Sequence, residues 1–175
     1  GTAAWSGAAA TLSTLGSAAA AIPLANLAFR RGRRVALGFG AFLAILGALG
    51  MILATYAQSF PIEIIALLLL GSGSAVSLQA RFAAADIPTS KPKGKDLSLV
   101  VWATTLGAVI GPNLIAPGES LGLWLGMPHL SGPFLFTIAA QLSSTIVFWF
   151  GLKPDPLIVA RYIAGLSPTR KNTSM

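Results

Sequence analysis

Four arginines crowd into one short stretch of this chain, which is its densest cluster of charged side chains. Arg30, Arg31, Arg33 and Arg34 fill four of five consecutive positions around Gly32. Their guanidinium groups are permanently positive, so they resist transfer across a membrane and can attract anionic lipid headgroups. Catalysis would need clustered nucleophiles, acids or metal ligands, and this stretch provides none of them.

Other reactive side chains are few. The sequence contains no cysteine, which excludes disulfides, thiolate metal sites and a thiol nucleophile. His129 is the sole histidine, and we interpret it as an interfacial side chain in a loop rather than a metal ligand. Serine and threonine hydroxyls in apolar helices more often bond to carbonyls of their own helix than act as nucleophiles. We therefore expect no enzyme, no metal and no cofactor.

The composition predicts an integral membrane protein. Hydrophobic residues make up 54% and charged residues 10% of the 175 positions, whereas soluble domains carry about 25% charged residues. The segments 1–29 and 35–62 contain no charged side chain, and each exceeds the roughly 20 residues that cross a hydrocarbon core. The arginine stretch is then a turn between two transmembrane helices.

The same alternation of apolar and polar segments along the chain predicts an all-α, polytopic bundle of five transmembrane helices. A polar stretch at 88–95 and a segment at 119–132 are predicted loops, and residues 157–175 are a predicted cytoplasmic segment after a bundle that covers 1–156. Within that last segment we expect a short surface helix near 157–166. The five predicted spans are approximately residues 3–29, 34–56, 61–85, 97–118 and 133–152.

The positions of the basic residues predict the orientation. If the helices alternate in direction, all 12 basic residues fall on one side, and the segments around 58–61 and 119–132 on the other side hold none. Basic residues mark cytoplasmic loops, so we expect the beginning of this chain outside and its end in the cytoplasm of a bacterial-type plasma membrane. The net charge of +7 then needs no nucleic-acid partner. The basic residues form three clusters: Arg30, Arg31, Arg33 and Arg34; Arg81, Lys91, Lys93 and Lys95; and Lys153, Arg161, Arg170 and Lys171.

A few polar and small residues lie at membrane depth. Gly107 and Gly111, four residues apart, leave one helix face bare for a neighbouring helix, and Pro112 should kink that helix. Polar side chains at this depth need a partner or a wet cavity. The candidate cavity-lining residues are Gln79, Arg81, Asn113 and Gln141.

The arginine turn resembles a motif of major facilitator superfamily transporters. After their second helix these proteins carry Gly-x-Leu-x-Asp-Arg-x-Gly-Arg-Arg, and residues 25–34 match it at Leu27, Arg30, Gly32, Arg33 and Arg34. Ala25 replaces the first glycine and Phe29 the aspartate. The resemblance implies that Arg30, Gly32, Arg33 and Arg34 form a conformational latch, with Asp86 as the acidic partner at the end of the third predicted helix.

Two further patterns extend the resemblance. Gly107, Gly111 and Pro112 resemble the fifth-helix Gly-x-x-x-Gly-Pro motif associated with antiporters, and residues 71–75 resemble the end of a fourth-helix motif whose arginine is replaced by Leu67. The chain is therefore similar to helices two to six of the N-terminal half, nearest to the multidrug and metabolite exporters. This implies transport of a small molecule by alternating access, as efflux by proton antiport.

The resemblance also implies partners. Such transporters bind substrate between two six-helix halves, so a first helix and a second half would be needed, in the same protein or in a separate chain. We expect a fragment of a transporter or one piece of a split one. The alternative is a small accessory subunit that packs against a larger membrane complex and moves nothing. The intact mass and the encoding reading frame distinguish the two.

Overall fold

The computed structural model describes the backbone of residues 3–86 and 93–166 and the side chains of residues 7–83, 98–162 and 165. Within these ranges the chain is helical and contains no strand. The described part of the chain forms α1 (Ala3–Arg31), α2 (Arg33–Ala57), α3 (Phe60–Asp86), α4 (Lys93–Asn113), α5 (Ile115–Trp124), α6 (Pro133–Gly151) and α7 (Pro156–Leu166).

In the described part of the chain four helical segments are long and apolar enough to cross a membrane, and there are five if one bent pair of helices counts as a span. The four are Gly7–Arg31, Arg33–Ala57, Phe60–Ala83 and Pro133–Tyr162, and the bent pair is α4 and α5, which meet at an angle of 50° and lie fourth in chain order. The prediction of an all-α transmembrane bundle is confirmed. The bend follows Pro112, which lacks an N–H and clashes with the carbonyl one turn earlier. At the break, the Leu114 N–H is shared between the Ile110 and Gly111 carbonyls, at 3.2 and 3.1 Å.

The structure differs from the sequence prediction beyond this bend. The sequence predicts that the fourth span ends at residue 118 and that a loop fills 119–132, but α5 continues as a helix to Trp124. Pro117 lies in the first turn of α5, where proline is tolerated because no intrahelical N–H is needed there. Gly118 and Gly122 are buried against Gly132 at the start of α6, so α5 and α6 form a close hairpin.

Small residues let α1, α2 and α3 approach closely. Gly16 on α1 lies against the Leu68 backbone, and Gly71 on α3 lies against the Ser13 carbonyl, leaving no room for a Cβ at either position. Buried Ser72 donates a hydrogen bond of 3.0 Å from its Oγ to the Gly40 carbonyl of α2. Small residues therefore allow the close packing of helices at these crossings.

The apolar core lies toward the end of the bundle that carries the arginines. It consists of Leu24, Leu37, Ala75, Val76 and Ala83, with Phe148 and Leu152 packed against it. α6 runs antiparallel to α2, because Trp149 contacts Gly38 at one end and Phe134 shares a cavity with Met51 at the other. This packing brings the end of α6 to the α1–α2 turn.

The close contact of Gly71 on α3 with α1 allows the packing of these helices to be tested. We expect Gly71→Ala to lower the free energy of unfolding by about 1–3 kcal/mol, because overpacking a tight contact forces the helices apart. Gly107→Ala is the matched control, since nothing lies within 4 Å of a Cβ there and alanine favours a helix over glycine by about 1 kcal/mol. Thermal unfolding of the purified chain in detergent measures both; equal shifts would contradict the packing.

Candidate functional site

The candidate site is the α1–α2 turn, which consists of Gly32 alone. Gly32 is buried and adopts φ +94°, a conformation that glycine allows and L side chains rarely adopt. Its N–H bonds to the Ala28 carbonyl at 2.9 Å, so α1 ends and α2 begins within one residue. This conformation explains why the motif has a glycine at position 32.

A carboxylate from 121 residues further along the chain occupies this turn. Asp155 Oδ2 accepts a hydrogen bond of 2.8 Å from the Arg34 backbone N–H and lies where a Cβ on Gly32 would have to be. Asp155 Oδ1 accepts a bond of 3.0 Å from the Leu157 N–H. A single side chain therefore caps the first turns of both α2 and α7, where a negative charge also complements the helix dipoles.

Two arginines of the turn are held by α3 and α6. Arg33 Nη1 donates to Gln79 Oε1 at 2.7 Å, and the Arg33 Cζ lies 5.8 Å from the centroid of the Phe82 ring. The Arg34 Cζ lies 5.1 Å from the Trp149 ring centroid, a cation–π distance. Because Gln79 is only 8% exposed, the arginine turn is anchored in the bundle rather than free in solvent.

A third arginine ties α7 to α1. Arg161 Nη1 donates a hydrogen bond of 2.7 Å to the Phe29 carbonyl, and the Arg161 Cζ lies 5.0 Å from the Phe29 ring centroid. The last carbonyls of a helix lack intrahelical partners, so this bond caps the C-terminus of α1. α7 is thus fixed on both sides of the turn, through Asp155 and through Arg161.

The remaining predicted site residues are dispersed. Asp86 is the last residue of α3, and its side chain lies outside the described residues. Arg30 is exposed at the end of α1. Arg81 is half-buried, and its Nε has no hydrogen-bond partner among the described residues. The structure therefore joins Gln79 to the arginine turn and leaves Arg81 apart from it.

The polar residues near the bend form a separate group. Asn113 is exposed and donates from Nδ2 to the Val109 carbonyl of its own helix at 2.7 Å. Gln141 lines a cavity of about 320 Å³ together with Gly111 and Phe136. Gly107 and Gly111 are exposed, and a Cβ added to either would have no described atom within 4 Å. This face of α4 is open in the described part of the chain.

Basic side chains gather at one end of the bundle. The contacts of Gly32 with Asp155, of Arg33 with Gln79 and of Arg161 with Phe29 place these ends of α1, α3 and α6 side by side. The members of the three predicted clusters with described side chains are Arg30, Arg31, Arg33, Arg34, Arg81, Lys153 and Arg161.

Asp155 is the main site residue that the sequence analysis missed. In the sequence, the segment 153–156 looks like a stop signal for the helix before it. The available signal is an aspartate directly before Pro156 and an apolar run, which is a typical N-cap followed by proline at the first helical position. Nothing in the local sequence, however, indicates that the same carboxylate reaches α2. The described residues contain no group of three or more His, Asp or Glu that could hold a metal.

The fold and the basic turn define a polytopic helical membrane protein, and its relatives are transporters. The chain is 40% identical over 163 residues, 93% of its length, to a Bacillus subtilis (strain 168) protein named "Uncharacterized MFS-type transporter YdeG". It is 39% identical over 153 residues, 87% of its length, to "Uncharacterized MFS-type transporter YddS" of the same strain. No protein-family model and no solved structure matches the chain.

These relatives confirm the resemblance to the major facilitator superfamily. The chain is homologous to a part of such transporters, because it spans 38% of the first relative and 35% of the second. Both names describe transporters rather than enzymes, in agreement with the expectation from the sequence.

The double cap can be tested by proteolysis. We expect Asp155→Ala to remove two helix caps of about 1 kcal/mol each, which raises the population of the opened turn about 30-fold. Trypsin cleavage within residues 30–34 of the detergent-purified protein should accelerate in proportion, since cleavage follows the open population.

Glu119, at the opposite end of the bundle, provides the control variant for this experiment. Glu119 also accepts a backbone N–H, from Leu130 at 2.9 Å, so Glu119→Ala removes a comparable carboxylate far from the arginines. It should leave cleavage of the turn unchanged. Equal acceleration by both variants, or none by Asp155→Ala, would show that Asp155 does not hold the turn.

Proposed function

We propose that the chain is part of a membrane transporter that moves a small molecule by alternating access, with the arginine turn as a conformational latch. The observation that carries the proposal is the single carboxylate of Asp155, which caps α2 and α7 and occupies the space that a side chain at position 32 would need. The names of the two relatives support the transporter class.

The contacts at the turn suit a latch because they join separate spans. Asp155 connects the end of α6 to α2, Arg33 connects α2 to α3 through Gln79, and Arg161 connects α7 to α1. Each of these hydrogen bonds contributes about 1–3 kcal/mol, the helix caps being at the low end. A set of a few such bonds can hold one conformation firmly and still be exchanged for another within a transport cycle.

Within this proposal Arg30, Gly32, Arg33, Arg34 and Asp86 form the latch, and Asp155 is added to them. Asp86 ends α3 about two helical turns beyond Gln79, which Arg33 contacts. Arg33 and Gln79 therefore already bring α3 to the turn, which supports a place for Asp86 beside the arginines.

The open face of α4 has a proposed role at an interface. Gly107 and Gly111 have no close neighbour from the described part of the chain, while Gly16 and Gly71 of α1 and α3 are filled by close helix contacts. We assign the α4 face, with Pro112, to packing against transporter segments that the relatives' greater length provides, a first helix and a second half. The bundle then corresponds to helices two to six, with its basic end in the cytoplasm of a bacterial-type plasma membrane.

The proposed transport mode is efflux of a drug or metabolite by proton antiport. The acids with described side chains lie at the ends of spans: Glu63 begins α3, Glu119 lies in α5 beside His129, and Asp155 follows α6. Proton coupling would then use Asp86, Asp96 or residues outside this chain. The proposed cavity groups on this side of a pathway are Gln141 and Asn113 near the bend, with Gln79 and Arg81 toward the basic end.

Transport measurements on the complete protein test the latch. We expect Arg33→Gln and Asp86→Asn each to slow ethidium efflux, measured as uptake into inverted membrane vesicles, about tenfold, the effect of losing about 1.4 kcal/mol from one conformation. Arg31→Gln is the control, because Arg31 is exposed and occupies an unspecified position of the motif. Unchanged rates for Arg33→Gln and Asp86→Asn would remove the latch assignment, and absence of ethidium transport by the unaltered protein would contradict efflux of this cation.

A further inference from the structure

The junction of α1 and α7 presents a stacked arginine at the basic end of the bundle. Arg161 is held by the Phe29 carbonyl at 2.7 Å and by the Phe29 ring, whose centroid lies 5.0 Å from Cζ. A guanidinium carries five N–H donors, and no second acceptor for Arg161 exists among the described residues. The fixed group therefore keeps donors for an external anion.

A second positive charge follows Phe29 in the sequence. Arg30 follows Phe29 directly, is exposed, and has no hydrogen-bond partner among the described residues. Asp155, the acid next to the start of α7, already accepts the backbone N–H groups of Arg34 and Leu157. Asp155 supplies one negative charge against Arg30, Arg34 and Arg161, so the described part of the chain leaves this junction with a net positive charge.

Exposed apolar side chains lie on the same two helix ends as the arginines. On α7, Ile158, Arg161 and Tyr162 are spaced i, i+3 and i+4, so they share one face, and Ile158 is 54% and Tyr162 69% exposed. Phe29 is 65% exposed at the end of a spanning helix, the position at which aromatic rings meet the membrane surface. A free inorganic anion would gain nothing from these apolar groups, whereas the acyl chains of a lipid would contact them.

From this arrangement we propose that a surface at the junction of α1 and α7 binds an anionic phospholipid. This α1–α7 surface consists of Phe29, Arg30, Ile158, Arg161 and Tyr162. The phosphodiester accepts hydrogen bonds from Arg161 and Arg30, an arrangement that guanidinium geometry favours. The apolar members contact the first segment of the acyl chains. Lipid binding at this surface does not depend on the proposed direction of transport or on the substrate.

The test uses native mass spectrometry of the full-length protein that contains this chain. Purified in a non-ionic detergent, the protein is offered equal amounts of phosphatidylglycerol and phosphatidylcholine, and bound lipids are counted. We expect a preference for phosphatidylglycerol that falls about fivefold in Arg30→Gln and about fivefold in Arg161→Gln, the contribution of one basic side chain near an anionic headgroup. Arg161→Lys should retain more binding than Arg161→Gln.

Lys153 provides the matched control. It is exposed at the same end of the bundle and lies 5.6 Å from the Phe150 ring centroid, so Lys153→Gln removes an equally stacked charge outside the α1–α7 surface. It should leave phosphatidylglycerol binding within about twofold of the unaltered protein, because it contributes no donor to the site. Equal losses in all three variants would show diffuse attraction and overturn the site.

Two further outcomes are decisive. The Arg30 side chain is exposed and makes no hydrogen bond to the described residues, so its variant tests the site even if Arg161→Gln loosens α7, which a thermal unfolding curve would reveal. Retention of full phosphatidylglycerol binding in Arg30→Gln overturns the proposal. Displacement of the lipid by excess inorganic phosphate would also overturn it, because the ligand would then be a free anion.

Discussion

One carboxylate between two helix N-termini organises the basic end of this molecule. Asp155 accepts backbone N–H groups from α2 and from α7, and each helix start contributes a partial positive charge. Four arginines flank the one-residue turn at Gly32. Their mutual repulsion would open a turn of one residue, and the half-buried negative charge offsets it. The positive φ of Gly32 completes the arrangement, because it lets the carboxylate approach the backbone itself.

The packing between the other parts of the bundle depends on the lipid that surrounds the helices. Lipid tails provide no hydrophobic drive between helices, so association depends on close contact of small residues. Gly16, Gly71 and Ser72 supply that contact among α1, α2 and α3. Hydroxyls on the spans, such as those of Thr55 and Thr145, bond to the carbonyl four residues earlier. The polar groups left over are therefore concentrated at helix ends, where the arginine turn lies.

The sequence predicts local and periodic features well. Uncharged segments of sufficient length predict the spans, and Pro112 predicts the bend of the fourth span, because both depend on residues close together in the chain. The helical continuation to Trp124 does not follow from the sequence, since Pro117 and Gly118 resemble loop residues until Gly132 is known to pack against them. The capping of both α2 and α7 by Asp155 does not follow from the sequence either, because Asp155 lies 121 residues from its partner on α2.

The glycines of this chain show why a small-residue pattern alone does not define a contact. Gly71 and Gly107 both lie in apolar helices, yet the first touches the Ser13 carbonyl and the second has no described neighbour. A glycine in a helix interior costs about 1 kcal/mol relative to alanine, and at Gly71 the close approach of two helices offsets that cost. At Gly107 no such contact comes from the described chain. The open position at Gly107 is consistent with relatives of which this chain spans only 38% and 35%.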